Sequence, residues 1–271
     1  HSKEILKRLG KNGKLFAFDQ DPDALDNVID DERFVLIPEN FRFISRFLRF
    51  HGIKKVDGIL ADFGVSSHQF DNADRGFSFR QDAPLDMRMD KDIETHAGDI
   101  LADYSPLQLQ QIFTRYGEIK NAKSLAEAVV NQRKLKPIKF TRQLLDILDQ
   151  VMHRSDKKSK YYSQVFQALR IEVNQELQSL ELFLNQCADL LCPGGKLVVI
   201  TYHSLEDRLV KNLMNKGNLE GKEEKDFYGN LISPYKTLTR KPILPTAQEI
   251  EQNPRARSAK LRIAEKVHEQ A

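Results

Sequence analysis

The sequence predicts an α/β fold in which a parallel sheet is interrupted by an inserted run of helices. Three observations carry this. From Ile5 to Asp62, short apolar segments alternate with amphipathic helical ones, the order that right-handed crossovers turn into a parallel sheet. The run Val56-Asp57-Gly58-Ile59-Leu60-Ala61 ends in Asp62 and breaks into a small polar turn reaching Gln69, as a buried strand does when it delivers a carboxylate to the open end of a sheet. Between Gly98 and Met152 four helical segments follow one another, and a strand pattern returns only with Lys196.

Taken in order, Ile5, Leu6 and Leu9 mark a first helix with Gly10 as its C-cap. A complete domain rarely starts on a helix with no strand before it, so a first strand and a Gly-rich turn are expected upstream of His1. Residues 14–18 read as a strand ending in Asp19, and Asp21-Pro22 as the cap and first position of a helix. A strand over 34–37, a helix over 41–50 and the strand through Asp62 follow. From Phe63 to about Asp92 no period is sustained, but Phe70, Phe77 and Phe79 argue against disorder. Helices are expected over 98–104, 106–116, 122–133 and 141–152.

Phe166, Leu169, Val173, Leu177, Leu180, Leu184, Cys187 and Leu191 then recur at steps of three and four, predicting one long helix ended by Pro193-Gly194-Gly195. A strand over 196–202, a helix over 205–214, a charged loop and a closing strand around Leu261-Ile263 complete the chain. The boundaries drawn are 1–90 and 164–271 for the two parts of the α/β domain and 91–163 for the helical insertion.

With 271 residues, 40% hydrophobic and 30% charged, the chain has the composition of a globular protein. No apolar run approaches the roughly 20 residues that span a bilayer, so no membrane partner is expected. Cys187 and Cys192 flank an apolar helical segment without metal-type partners. They read as reduced thiols of a cytoplasmic protein, with no metal expected. A net charge of +3 does not identify a nucleic-acid partner by itself. Its distribution matters more: one basic cluster runs from Arg133 through Lys134, Lys136, Lys139, Arg142, Arg154, Lys157 and Lys158 to Lys160, interleaved with Phe140, Tyr161 and Tyr162. Another is Asn253-Pro254-Arg255-Ala256-Arg257-Ser258-Ala259-Lys260-Leu261-Arg262. Cations beside aromatic surfaces suit RNA, although charge runs also occur as plain solvated faces.

Asp62 has two readings, a carboxylate facing a cofactor or a cap of the turn that follows. Asp19, at another strand end, could accept hydrogen bonds from ribose hydroxyls. Ser204 with Asp207 has the spacing of a capping box. His203 is left to orient a substrate, accept a proton or make a structural hydrogen bond.

Five stretches together resemble one family: Asp62-Phe63-Gly64-Val65-Ser66-Ser67, Arg75-Gly76-Phe77-Ser78-Phe79, Pro84-Leu85-Asp86-Met87-Arg88-Met89-Asp90, His203-Ser204-Leu205-Glu206-Asp207-Arg208 and Asn253-Pro254-Arg255-Ala256-Arg257-Ser258. In order and spacing they are similar to the MraW-type small-subunit ribosomal RNA methyltransferases H. The resemblance covers essentially the whole chain. It implies a Rossmann-like class I methyltransferase sheet with a helical insertion for RNA recognition. It also implies S-adenosylmethionine as donor and the N4 amino group of a cytosine in 16S ribosomal RNA of the small ribosomal subunit as acceptor.

The family's cofactor contacts carry over to His1, Asp19, Phe41, Asp62 and Gln69. Its two glycines before His1 are absent here, and His68 stands where the family commonly has proline. Asp62 and His203 become the catalytic candidates, and Ser66, Ser67, Arg255 and Arg257 the RNA contacts. The loop from Phe63 to Asp90 becomes part of the cytosine pocket. Self-association as a homodimer stays open. The competing readings are a nicotinamide-dependent oxidoreductase, which leaves the basic clusters unexplained, and a non-catalytic RNA-binding assembly factor.

Overall fold

The computed structural model describes residues 1–66, 69–70, 73–152 and 157–267. Its two compact units are 1–64 with 177–271, and 65–176.

In the first unit, β1 (Leu15–Phe18) pairs in parallel with β2 (Phe34–Ile37). The strands β3 (Val56–Asp62), β4 (Leu191–Thr201), β5 (Tyr235–Thr237) and β6 (Lys260–Lys266) form a second sheet in the order β3-β4-β6-β5. The α/β class is therefore as expected, but the sheet is mixed rather than wholly parallel. The β3–β4 pair is parallel, whereas β6 runs antiparallel to both β4 and β5. The helix Ser204–Lys216 carries the chain from β4 to β5 in the same direction, and β6 returns between them. Among the described strands β3 lies at the edge of its sheet, not in the middle, and Leu60 on it is exposed. Ile59, Leu197 and Val199 pack with Leu184, Cys187, Val210 and Leu213 into one apolar core. Burial of this order stabilises by roughly 1.5–3 kcal/mol per large aliphatic side chain.

Pro193-Gly194-Gly195 does not simply end a helix. Leu191 already faces Val56 in the ladder, and the next partners are Gly58 and Lys196, so the Pro-Gly-Gly segment bulges out of β4. Proline lacks the ladder donor and sits in sheets at such irregularities, and Gly194 takes φ +80 there.

The long helix expected through Phe166 and Leu191 is two helices, Lys158–Asn174 and Glu176–Leu190. Gln175 between them adopts φ 49 and ψ 40. The buried Asn174 amide accepts from Met89 N at 2.6 Å and donates to Met87 O at 2.8 Å. Arg170 grips Glu176 across the break, with Nε 2.7 Å from Oε1. The apolar period continues through the break, so only these polar contacts mark it.

The second unit packs the helices Ala97–Asp103, Pro106–Arg115, Ala122–Leu135, Thr141–Val151 and Lys158–Asn174 around Leu109, Phe113, Leu125, Val129, Leu144, Leu148, Val165 and Leu169. Ser105 and Gln108 cap the second of these reciprocally. Phe77, Leu85, Met87 and Met89 belong to the same core. Arg75, itself buried, donates to Arg88 O at 2.7 Å and Met89 O at 2.9 Å. Arg88 in turn holds Asp86 through Nε at 2.9 Å and Nη2 at 2.8 Å.

Gly76 has φ +66, and a Cβ there would come within 2.2 Å of Pro84 O. Gly76→Ala combines left-handed strain with a backbone clash and should cost about 2–4 kcal/mol. Thermal melting checks this, and an unchanged midpoint would contradict the packing described.

Candidate functional site

Asp62 is the last residue of β3, and Tyr202 directly follows the last residue of β4. Because these strands run in parallel with Asp62 opposite Ile200, the two side chains meet at the carboxyl edge. The Tyr202 hydroxyl donates to Asp62 Oδ1 at 2.9 Å, and His1 Nε2 lies 3.1 Å from Asp62 Oδ2. The Asp62 side chain keeps 35% exposure. Desolvation pushes its carboxyl above the usual range, partly offset by the Tyr202 hydrogen bond. Burial and the adjacent carboxylate push the Tyr202 hydroxyl well above its ordinary value. The phenol therefore stays protonated and donates to Oδ1, while Oδ2 faces His1.

Phe41, opening the short 3-10 turn before the helix Ile44–Phe50, packs with its ring centroid 5.5 Å from that of Phe63, the residue after Asp62, in a tilted contact, and 5.4 Å from that of Phe183, edge to face. Asp19 follows β1 and accepts from Asp21 N at 2.9 Å. Burial raises its carboxyl, opposed by that amide. Asp21 is the cap expected, although the element it starts is a 3-10 helix, Pro22–Asn27. Four of the five cofactor candidates, His1, Asp19, Phe41 and Asp62, thus lie in the first unit, and His1 and Asp62 are in direct contact.

His203, not Ser204, is the N-cap of the helix Ser204–Lys216, and its box partner is Glu206, not Asp207. The reason is that Ser204 is already helical, which makes His203 the cap and Glu206 the third residue, while Asp207 is engaged by Arg262 and Lys260. His203 Nδ1 accepts from Glu206 N at 3.5 Å, and its Nε2 sits 3.0 Å from Glu206 Oε1 without hydrogen-bond alignment. Glu206 Oε2 accepts from Tyr202 N at 2.9 Å. Sequence reasoning passed over Tyr202 and Glu206. The His203-to-Glu206 spacing was the available signal for the second, and nothing local marked the first.

Gln69 and Ser66 lie in the second unit and bond reciprocally: Gln69 Oε1 accepts from Ser66 N at 3.0 Å, and Ser66 Oγ from Gln69 N at 3.1 Å. Ser67, His68 and Arg154 lie outside the described residues. Arg255 and Arg257 are exposed on the turn Pro254–Ser258, which Ala256 anchors by its burial. In the other basic cluster Lys134, Lys136, Lys139, Arg142, Lys157 and Lys160 are exposed, with Phe140 beside them. Tyr161 and Tyr162 are buried and offer no stacking surface, because they complete the core of the second unit. Arg133 is structural as well, donating to Leu101 O and Tyr104 O, both at 2.8 Å.

The model of the MraW methylase family matches residues 1–267. A protein of Christiangramia forsetii, named ribosomal RNA small subunit methyltransferase H, is 55% identical over 267 residues, covering 98% of this chain and 88% of its own length. Proteins of the same name from Flavobacterium johnsoniae and Bacteroides thetaiotaomicron are 57% and 53% identical, each over 98% of this chain and 88% and 87% of their own lengths. A strand-end carboxylate on a mixed α/β sheet, a helical second unit and a match along nearly every residue have one common origin: the chain belongs to the MraW methylase family.

Proposed function

We propose that this methyltransferase transfers a methyl group from S-adenosylmethionine to the N4 amino group of a cytosine in 16S ribosomal RNA, acting in the cytoplasm on RNA of the small ribosomal subunit. The observation that carries this reading is Asp62, held from one side by Tyr202 and facing His1 on the other. The relatives named as small-subunit ribosomal RNA methyltransferases supply the substrate class. Membership of a methylase family favours this over an oxidoreductase or a non-catalytic assembly factor.

The chemistry asks for little more than placement. An exocyclic base nitrogen is a poor nucleophile because its lone pair is delocalised into the ring. An acceptor such as the part-exposed Asp62 carboxylate aligns its N–H groups, and alignment supplies much of the acceleration. The donor, when bound, provides an electrophilic methyl group. Asp19 fits that donor through its strand-end carboxylate, which suits ribose hydroxyls, and Phe41 fits through its aromatic face near Asp62. His1 and Gln69 complete the proposed donor contacts. Ser66, Ser67, Arg255 and Arg257 are the proposed RNA contacts, His203 orients the substrate, and the exposed cations of the helical unit hold phosphates.

Isothermal titration with S-adenosylmethionine, followed by methyl transfer to small-subunit RNA, tests the reading. Saturable binding and base methylation are expected. Methylation at a ribose or at another base would overturn the cytosine assignment, and an absence of donor binding would overturn the cofactor.

A further inference from the structure

The helix Ile44–Phe50 buries Ile44 and Leu48 and turns a cationic face outward. Arg46 and Arg49, three apart, share one face of it, and Arg42 on the preceding 3-10 turn lines the same groove. With Phe43, Ser45, Phe50 and Gln186 they line an open groove of about 550 Å³. No carboxylate is among these lining residues.

Two features set the groove apart from an ordinary solvated face. Like charges at such spacings repel, and cations near a helix N-terminus oppose the macrodipole. Arg46 sits in the first turn of this short helix, which carries no acidic residue, and Arg49 follows one turn on, so the arrangement weakens the helix start unless something anionic is bound. Phe50, at the other end, is 83% exposed.

The walls are also held in place. Gln186 Oε1 accepts from Ser45 N at 3.1 Å, while its Nε2 donates to Arg42 O at 2.8 Å and to Leu182 O at 2.6 Å. The Arg42 guanidinium lies 4.7 Å from the Phe43 ring centroid and that of Arg46 5.9 Å from Phe47. Stacking of this kind leaves the edges of the exposed Arg46 guanidinium turned to solvent, where they suit paired hydrogen bonds to phosphate.

We propose that this groove binds the sugar–phosphate backbone of the substrate RNA, with an unpaired base stacked on Phe50. It is a contact of the α/β unit itself, separate from the basic segments at 133–160 and 253–262. The proposal rests on the RNA-methyltransferase reading. Forked cations and an exposed aromatic ring match a single strand, which offers phosphates and π-faces along its length. An acidic peptide would use the cations but leave Phe50 without a role.

The test is binding of the full chain to a small-subunit ribosomal RNA fragment as salt is varied. Arg46→Gln/Arg49→Gln should flatten the slope of log K against log salt by about 1.4, at about 0.7 per phosphate for a single strand. Phe50→Ala should weaken binding by roughly 5–150-fold with the slope unchanged. Arg46→Lys/Arg49→Lys should restore most of the slope, and S-adenosylmethionine should bind every variant as it binds the wild type. Wild-type slope in the double glutamine variant, together with normal affinity in Phe50→Ala, would overturn the groove while leaving the methyltransferase reading standing. Failure of the wild type to bind RNA would overturn that reading itself. Competition by a polyglutamate peptide that depends on the same arginines but not on Phe50 would show an acidic protein partner instead.

Discussion

Asp62→Asn should lower methyl transfer by about 10²–10⁴-fold, the range associated with loss of a positioned polar group at a reacting centre. The asparagine keeps the shape but replaces one acceptor oxygen with a donor, so it turns an N–H group toward either Tyr202 or His1 and weakens the acceptor offered to the substrate amine. RNA affinity should stay close to wild type, because Asp62 is not among the cations that hold phosphate. The same change should stabilise the fold at neutral pH. Desolvation raises the Asp62 carboxyl in the folded state above its ordinary 3.8. A carboxyl raised in this way contributes stability that is present below its unfolded pKa and lost as pH rises through the folded one. Neutral asparagine removes that loss, so the melting midpoint should rise above wild type as pH increases from about 4 to neutrality. Tyr202→Phe, which takes away the donor opposing the shift, should move the Asp62 pKa further up and lower activity less than Asp62→Asn does. Full turnover in Asp62→Asn would remove Asp62 from the mechanism.

Asp207→Ala should have the largest effect on stability. Asp207 accepts from Arg262 Nε at 2.7 Å and Nη2 at 3.1 Å, with Lys260 Nζ at 3.4 Å, tying the helix Ser204–Lys216 to β6. Arg262 is 6% exposed, so removing its partner leaves a buried charge uncompensated. That costs about 3–5 kcal/mol, on the order of 10 °C in melting midpoint for a domain of this size. Burial alone would raise the Asp207 carboxyl, but Arg262 and Lys260 outweigh it and hold it below 3.8. The stability it contributes is therefore present above pH 3.8 and lost as pH falls through the lower folded value. The gap between wild type and Asp207→Ala should narrow over that acid range. A gap that stayed constant there would mean the pair is not charged in the fold.

Strand ends were legible in the sequence because a short apolar run closing on an acid and a polar turn has the form of a buried strand reaching the sheet edge. Phe34–Ile37 is the strand expected, and the strand through Asp62 ends where it was expected to. The helix break at Gln175 was not legible: a non-glycine residue at φ 49 leaves no mark on an uninterrupted apolar period. What forces it is Asn174, whose partners Met87 and Met89 are far away in the chain. Tyr202 was hidden for a similar reason. An aromatic residue at a strand end reads as packing until its partner, Asp62, is brought alongside by the β3–β4 ladder. The motif segments around Arg75 and Pro84–Asp90 stood out in the sequence, but the roles of Phe77, Leu85, Met87 and Met89 in a core could be read only from the fold.

The β3–β4 pairing has a kinetic consequence. These strands are neighbours in the sheet, yet the whole of 65–176 separates them along the chain. Bringing them together from a disordered chain means closing a loop of more than a hundred residues, an entropic penalty of about 4 kcal/mol. The intervening helices have a hydrophobic core of their own and can collapse first as a unit, shortening the loop before the ladder zips. Pulsed hydrogen exchange during refolding should find amides of the helix Ala122–Leu135 protected ahead of those in β3. The edge that carries Asp62 would then be the last part of the enzyme to form, and its assembly rate would depend on how fast an entire helical unit folds.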